Sequence, residues 1–401
     1  MKFLIYFSFV FFNMGLSADV GFIPSIDFSI YGGKYYIDGD SSSMDLKTEL
    51  FGSYVINLDE ENQIYPVYSG YYNGTQDIQE LAGGDVLTRQ RMGHTFSLKY
   101  KRSKDFNSVK PRVSYSINRI KETKDESWGK GLFDYDVISV GFELEQERPE
   151  ATYKEYFDFY KVDYPNYASL ISKSNTVIDT TTYSELSENA GTDILNSRNY
   201  RLGFSHITFP KDIVFTKDFS FTYKDYYDQS IITKPVIGNP IFKSDKRKDM
   251  EFKISSLLEN TSKKIYLSLG TDLLWLKSNQ NSYDASRTKY IEDYYGYISF
   301  AIYPTVKFNF KNGGNFSYSF SYTRLNYTGR YSQDVNGDYL ASKINQNYYL
   351  SSLAISYPIL KNIYARGIYS YQVVNSNMRY EAGYRYNYDS QSFLLGLEMS
   401  F

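Results

Sequence analysis

From about residue 25 onward, apolar and polar residues alternate one by one in stretches of roughly ten to fourteen, each ended by a break rich in Gly, Asn, Asp, Ser or Lys. A period of two is the repeat of a β-strand, whose successive side chains point to opposite faces. In one stretch Leu46, Thr48, Leu50, Gly52, Tyr54 and Ile56 share a face and Lys47, Glu49, Ser53 and Asn57 the other. In another, Ile138, Val140, Phe142 and Leu144 oppose Ser139, Gly141, Glu143 and Glu145. Further on, Phe316, Tyr318, Phe320 and Tyr322 oppose Ser317, Ser319, Ser321 and Thr323. Each such strand has one greasy face and one wet face.

About sixteen strands follow from this pattern, at 25–38, 45–58, 63–73, 89–102, 110–121, 133–146, 152–164, 198–209, 217–227, 249–258, 264–277, 290–310, 314–330, 346–357, 362–374 and 391–401. The gaps alternate in length: short ones at 59–62, 103–109, 147–151, 210–216, 259–263, 311–313 and 358–361 interleave with mostly longer ones. Short turns on one side and longer loops on the other are the pattern of a transmembrane barrel. The hydrocarbon core of a bilayer offers no water to unpaired backbone groups, so a β-structure there must close on itself. The expected fold is therefore all-β: a single antiparallel up-and-down barrel of about sixteen strands, with about fourteen or eighteen reached by merging or splitting one hairpin such as 133–164.

Composition fits two unlike faces. Phe, Trp and Tyr make up 18% of the chain, yet the mean hydropathy is −0.47, that of a rather polar protein. With no cysteine, disulfides, thiolate metal sites, cysteine nucleophiles and a lipid anchor on cysteine are all excluded. A formal charge of −2 gives no sign of a nucleic-acid partner. At the N-terminus, Lys2 precedes the apolar run Phe3 to Phe12 and the small-residue end Leu16, Ser17, Ala18, the layout of a secretory signal peptide cleaved after Ala18. The domain expectation is a signal peptide at 1–18 and a barrel at 19–401.

The last stretch places Phe393, Leu395, Leu397, Met399 and Phe401 on one face. It resembles the C-terminal strand signal of bacterial outer-membrane β-barrel proteins, in which alternate hydrophobic residues lead to a final aromatic. The resemblance implies residence in the outer membrane and two transient partners, the barrel assembly machinery and periplasmic chaperones. In architecture the whole mature stretch looks like the general porins, without a named subfamily, and a homotrimer is the analogy that comes with them. On that resemblance the chain is expected to be a channel for passive diffusion of small hydrophilic solutes, without enzymatic activity, cofactor or metal. The alternative is a surface barrel with an adhesive or structural role whose lumen is closed by the loop 165–197.

Strand parity places Lys47, Glu49, Lys99, Arg112, Glu143, Lys253, Asp272, Lys307, Arg366 and Glu398 toward the lumen, where charge is solvated and can act on passing ions. Their mixed signs argue against strong ion selectivity. The long loop Pro165 to Ser197 carries Asp179, Glu185, Glu188 and Asp193, acids that could narrow the channel if the loop folds inward. The segment Asp228 to Lys248 reads as a basic loop, with Lys243, Lys246, Arg247 and Lys248 facing lipopolysaccharide or solvent. Adjacent tyrosines (Tyr71 with Tyr72, Tyr226 with Tyr227, Tyr294 with Tyr295, Tyr348 with Tyr349) read as interface girdles, with a sugar-stacking track as the rival. The two histidines, His94 and His206, lie in no nucleophile motif and read as outward interface residues.

Overall fold

The computed structural model describes residues 22–38, 40–80, 86–121, 126–167, 193–234, 241–260, 262, 264–284, 287–381 and 385–401. Among them are eighteen strands and no helix. In chain order they are β1 (Phe22–Ile37), β2 (Asp40–Asn57), β3 (Asn62–Glu80), β4 (Val86–Lys104), β5 (Asn107–Lys121), β6 (Tyr135–Glu147), β7 (Ala151–Asp163), β8 (Ser197–Thr208) and β9 (Ile213–Thr233). Then follow β10 (Ile241–Asn260), β11 (Ile265–Ser278), β12 (Ser282–Asp284), β13 (Lys289–Ile291), β14 (Tyr297–Asn309), β15 (Asn315–Gln333), β16 (Tyr339–Leu360), β17 (Ile363–Ser376) and β18 (Tyr388–Ser400). Sixteen of them, all but β12 and β13, pair antiparallel with their chain neighbours into one closed barrel. The ring shuts where β1 pairs with β18, and Ile26 and Phe401 exchange both backbone hydrogen bonds (2.9 and 3.0 Å).

Each expected strand is present, and the connections on the side of the termini are the short ones. Between Lys104 and Asn107 the turn is only Asp105 and Phe106; Asp105 takes φ of 51°, a left-handed position that a short acid side chain tolerates. The chief departure is the expected strand 290–310, which the structure splits. Residues 289–291 belong to the small hairpin β12–β13, and only 297–309 enter the barrel. The strands also run longer than expected on the side opposite the termini, as in β9, β10 and β16.

Period two produces an inverted protein. Ile138, Val140, Phe142, Leu202, Ile254, Ile355 and Leu395 are among many large apolar side chains left exposed, all on the outward parity of their strands. A contiguous apolar surface of this size is costly in water and suits hydrocarbon. Paired residues on the opposite parity, such as Lys110 with Glu143 and Asp158 with Arg201, form the inner face. A small buried set lies at the outer end of the lumen, where Ile37, Ile344, Val374 and Leu394 point inward and are at most 8% exposed.

Candidate functional site: the lumen wall

All ten lumen candidates fall on the inner parity, because cross-strand partners share a face: Glu49 opposes Ser29, Lys99 opposes Arg112, Lys307 opposes Ser317 and Arg366 opposes Ser356. The register brings some of them together. Lys47 pairs with Glu49 (2.8 Å), Lys253 with Asp272 (3.4 Å) and Arg366 with Glu398 (2.6 Å), and Glu398 also accepts from the Tyr31 hydroxyl.

The densest network crosses β5 to β8. Lys110 bridges Glu143 (2.9 Å) and Glu145 (2.7 Å), and Lys154 reaches Glu145 (3.2 Å). Arg112 touches Glu143 (3.5 Å) and donates to both oxygens of Asp158 (2.7 and 2.8 Å). Arg201 donates to the same Asp158 (2.7 and 3.1 Å), so one carboxylate, 2% exposed, serves two guanidiniums. Tyr156 lies between the two arginines, 5.7 and 5.5 Å from their guanidinium carbons. Charges removed from water are tolerable only when paired and hydrogen-bonded in this way. Lys110, Glu145, Lys154, Asp158 and Arg201 are missing from the sequence-based candidates although the same parity rule reaches them; what no parity reveals is that they converge.

Beside this network opens a recess of about 600 Å³ whose lining includes Lys99, Lys101, Lys110, Arg112, Arg201 and Asp158. Lys99 and Lys101 have no ion-pair partner among the described residues. Diametrically opposite, eight strands around the ring, stand β15 and β16. Their inner rows read Asn315, Ser317, Ser319, Ser321, Thr323 and Leu325, then Gln346, Tyr348, Leu350, Ser352, Ala354 and Ser356, without a charge. Ser352 shares a hydrogen bond with Ser370 of β17 (2.8 Å).

The tyrosine pairs divide as period two requires. Tyr71, Tyr226 and Tyr348 face inward, their neighbours Tyr72, Tyr227 and Tyr349 outward, so girdle placement accounts for only half of these pairs. Several inward tyrosines stand opposite a glycine: Tyr31 at Gly396, Tyr71 at Gly93, Tyr156 at Gly203 and Tyr303 at Gly270. A Cβ at any of these glycines would overlap the ring, so each ring lies flat against the neighbouring strand.

Toward the outer end the connection 279–296 turns inward. Gln280 donates to Ser230 O (2.9 Å), Asn281 to Ile232 O (2.7 Å) and Arg287 to Asn336 O (3.1 Å), pinning the β12–β13 hairpin to both flanks. Arg247 is buried between the rings of Tyr226 (4.5 Å) and Tyr295 (4.0 Å) and bound to Asp249 (2.6 and 3.0 Å). This corrects the reading of 228–248 as a basic loop: β9 runs to Thr233, β10 starts at Ile241, and Arg247 faces inward rather than toward lipid. Lys246 lies near Asp228 (4.0 Å), Lys248 is exposed, and the side chain of Lys243 lies outside the described residues.

Of the constriction-loop candidates, Asp179, Glu185 and Glu188 lie outside the described residues. Asp193 accepts from Asn196 Nδ2 (2.8 Å) in the turn before β8. His94, ten residues from the Lys104 end of β4, accepts or donates at Nδ1 with the Tyr68 hydroxyl (2.8 Å), and His206 stacks on Tyr153 (4.7 Å). Among the described residues no group of three or more His, Asp or Glu side chains could hold a metal ion. In the closing strand Phe393, Leu395 and Phe401 are outward and exposed.

No family model and no curated protein matches the chain. Among solved structures it is similar to OmpT, an outer-membrane protein of Vibrio cholerae, in its trimer form, at 9% identity and a TM-score of 0.47 over 95% of this chain and 100% of that one. It is also similar to an anion-selective porin from Comamonas acidovorans (8%, 0.47, over 96% and 100%) and to OccK2 of Pseudomonas aeruginosa (11%, 0.42, over 96% and 98%). At this level of likeness the neighbours' properties transfer nothing. The chain's own strand pairing makes it a closed sixteen-stranded antiparallel barrel.

Proposed function

We propose that the chain is an outer-membrane channel through which small hydrophilic solutes diffuse down their gradients, after export on the cleaved segment 1–18. One observation carries this reading: the inner face is bound along the wall and not across it. Each ion pair between barrel strands, among the described residues, joins strands no more than two apart, as Arg112 and Asp158 do, and the inward tyrosines opposite glycines lie flat. Side chains held in this way leave the axis of the barrel to water. The ten lumen candidates then act through their field, and the exposed residues of the closing strand are those offered to the assembly machinery and chaperones. Lipopolysaccharide around the rim and a homotrimer belong to the same reading.

A second reading is a surface barrel with an adhesive or structural role whose lumen is closed by the loop 165–197, of which 168–192 lie outside the described residues; the β12–β13 hairpin at the outer lumen gives that reading separate support. Single-channel recording of refolded protein in planar bilayers separates the two. Large, stable openings are expected, and a barrel that never conducts would rule out the channel.

A further inference from the structure

We propose that the recess lined by Lys99, Lys101, Arg112 and Arg201 is a binding station for a small polyvalent oxyanion, a phosphate- or polycarboxylate-bearing solute. The inference rests on the reading of an open lumen and goes beyond it by naming what the lumen retains. Mixed signs in the sequence suggest a neutral channel, but the structure sorts them. Of the charged side chains lining the recess five are cations and Asp158 is the carboxylate. Asp158 is already divided between Arg112 and Arg201, while Lys110 is satisfied by Glu143 and Glu145.

Lys99 and Lys101 therefore have no ion-pair partner among the described residues, and lie side by side on the inner row of β4 next to two guanidiniums. Like charges gathered in one concavity repel one another, and an anion entering between them relieves that repulsion while accepting hydrogen bonds from both kinds of donor. A volume of about 600 Å³ admits a pyrophosphate-sized ion with part of its water. Thr95, Ser97, Ser114 and Ser139 also line it, beside Tyr65, Val67 and Val113, and offer hydroxyl donors without adding acid. The inner rows of β15 and β16, opposite β5 and β6, carry no charge, so that part of the wall offers a multivalent anion no competing cation.

The test uses the full chain refolded in detergent micelles and titrated calorimetrically with inorganic pyrophosphate, a readout that needs no conduction. Saturable binding is expected, and the double variant Lys99→Gln, Lys101→Gln should weaken it by about tenfold or more, since two charge-assisted donors are lost. Neither lysine makes an ion pair among the described residues, so the variant should fold, as checked by its heat-modifiable gel mobility. Lys361→Gln, exposed in the turn between β16 and β17, should leave the affinity unchanged. No saturable binding, or equal binding by the double variant, overturns the proposal. In planar bilayers the wild type should favour chloride over potassium, and the double variant should lower that permeability ratio at least about twofold. Conduction without this preference also overturns it, whereas binding without any conduction overturns the channel reading and leaves the station standing.

Discussion

Two walls of the same barrel, β5 to β8 and β15 to β16, obey one alternation rule outside and opposite rules inside. Outward, both carry exposed aliphatic residues, Val140 and Leu202 on one, Leu353 and Ile355 on the other. Inward, the first is a ladder of paired charges centred on Asp158, the second a sheet of hydroxyls and small residues. The outer face answers to lipid, which accepts only apolar groups, whereas the inner face answers to water, which accepts either solution. The fold is thus specified from outside, and the inside is left free to be differentiated.

Breaking that comparison begins with Asp158. Asp158→Ala leaves Arg201 without its carboxylate and Arg112 with Glu143 alone, and should cost about 3–4 kcal/mol in a urea refolding titration, toward the low end for a broken buried pair because Arg201 can still reach water. Next, Val140→Lys and Ile355→Lys place a charge in lipid on the two walls. Each should cost about 2–3 kcal/mol by the same titration, and equal costs would show that the outer faces are equivalent. Gly203→Ala pushes Tyr156 off its seat and should cost about 1–2 kcal/mol, together with a drop in single-channel conductance as the ring tilts inward. Ser352→Ala on the hydroxyl wall should change stability by less than about 0.5 kcal/mol, and a larger effect would mean that this wall too depends on its pairing.

The smallest effect concerns the turn between β2 and β3. Asp59 accepts from the backbone of Glu61 and Asn62 and from the Asn62 side chain, which holds its carboxyl below the usual aspartate range. A depressed folded value means that the contribution is complete above the unfolded pKa and is lost as pH falls through the folded one. Asp59→Ala should therefore lower stability slightly at neutral pH, leave it unchanged at the acid end and flatten the acid limb between them, as read by urea titrations repeated across pH.

How much of this was legible in the sequence differs between fold and lumen. The strands could be counted because lipid enforces alternation where the chain crosses it, as at Ile138 to Leu144. It fails to enforce it beyond the bilayer, which is why 290–310 seemed continuous when Glu292 to Gly296 leave the sheet and why β10 begins well before residue 249. Facing could be read from parity, so Arg112 and Glu143 were nameable. Their convergence on Asp158 and Lys110 depends on the register between strands and on curvature, neither of which a single strand encodes. For the same reason the mixed signs looked balanced along the chain although Lys99, Lys101 and Arg201 gather on one wall. Arg247 was misplaced because a basic run, Lys243 to Lys248, resembles a loop even when alternate residues of it line a strand.

The joint between β1 and β18 sets the order of events by which such a protein can form. Asp27 and Ser400, hydrogen-bonded across it, lie 373 positions apart, so the contact that completes the ring is also among the most distant in the chain. Pairings of such separation come late and slowly, because the intervening chain must be ordered first. Until then two full strand edges are bare, and hydrocarbon cannot satisfy them. Zipping the other fifteen pairings therefore gives no stable half-inserted product: closing the ring and entering the bilayer are one step, and the time the open sheet spends in water is the interval in which it is most exposed to aggregation.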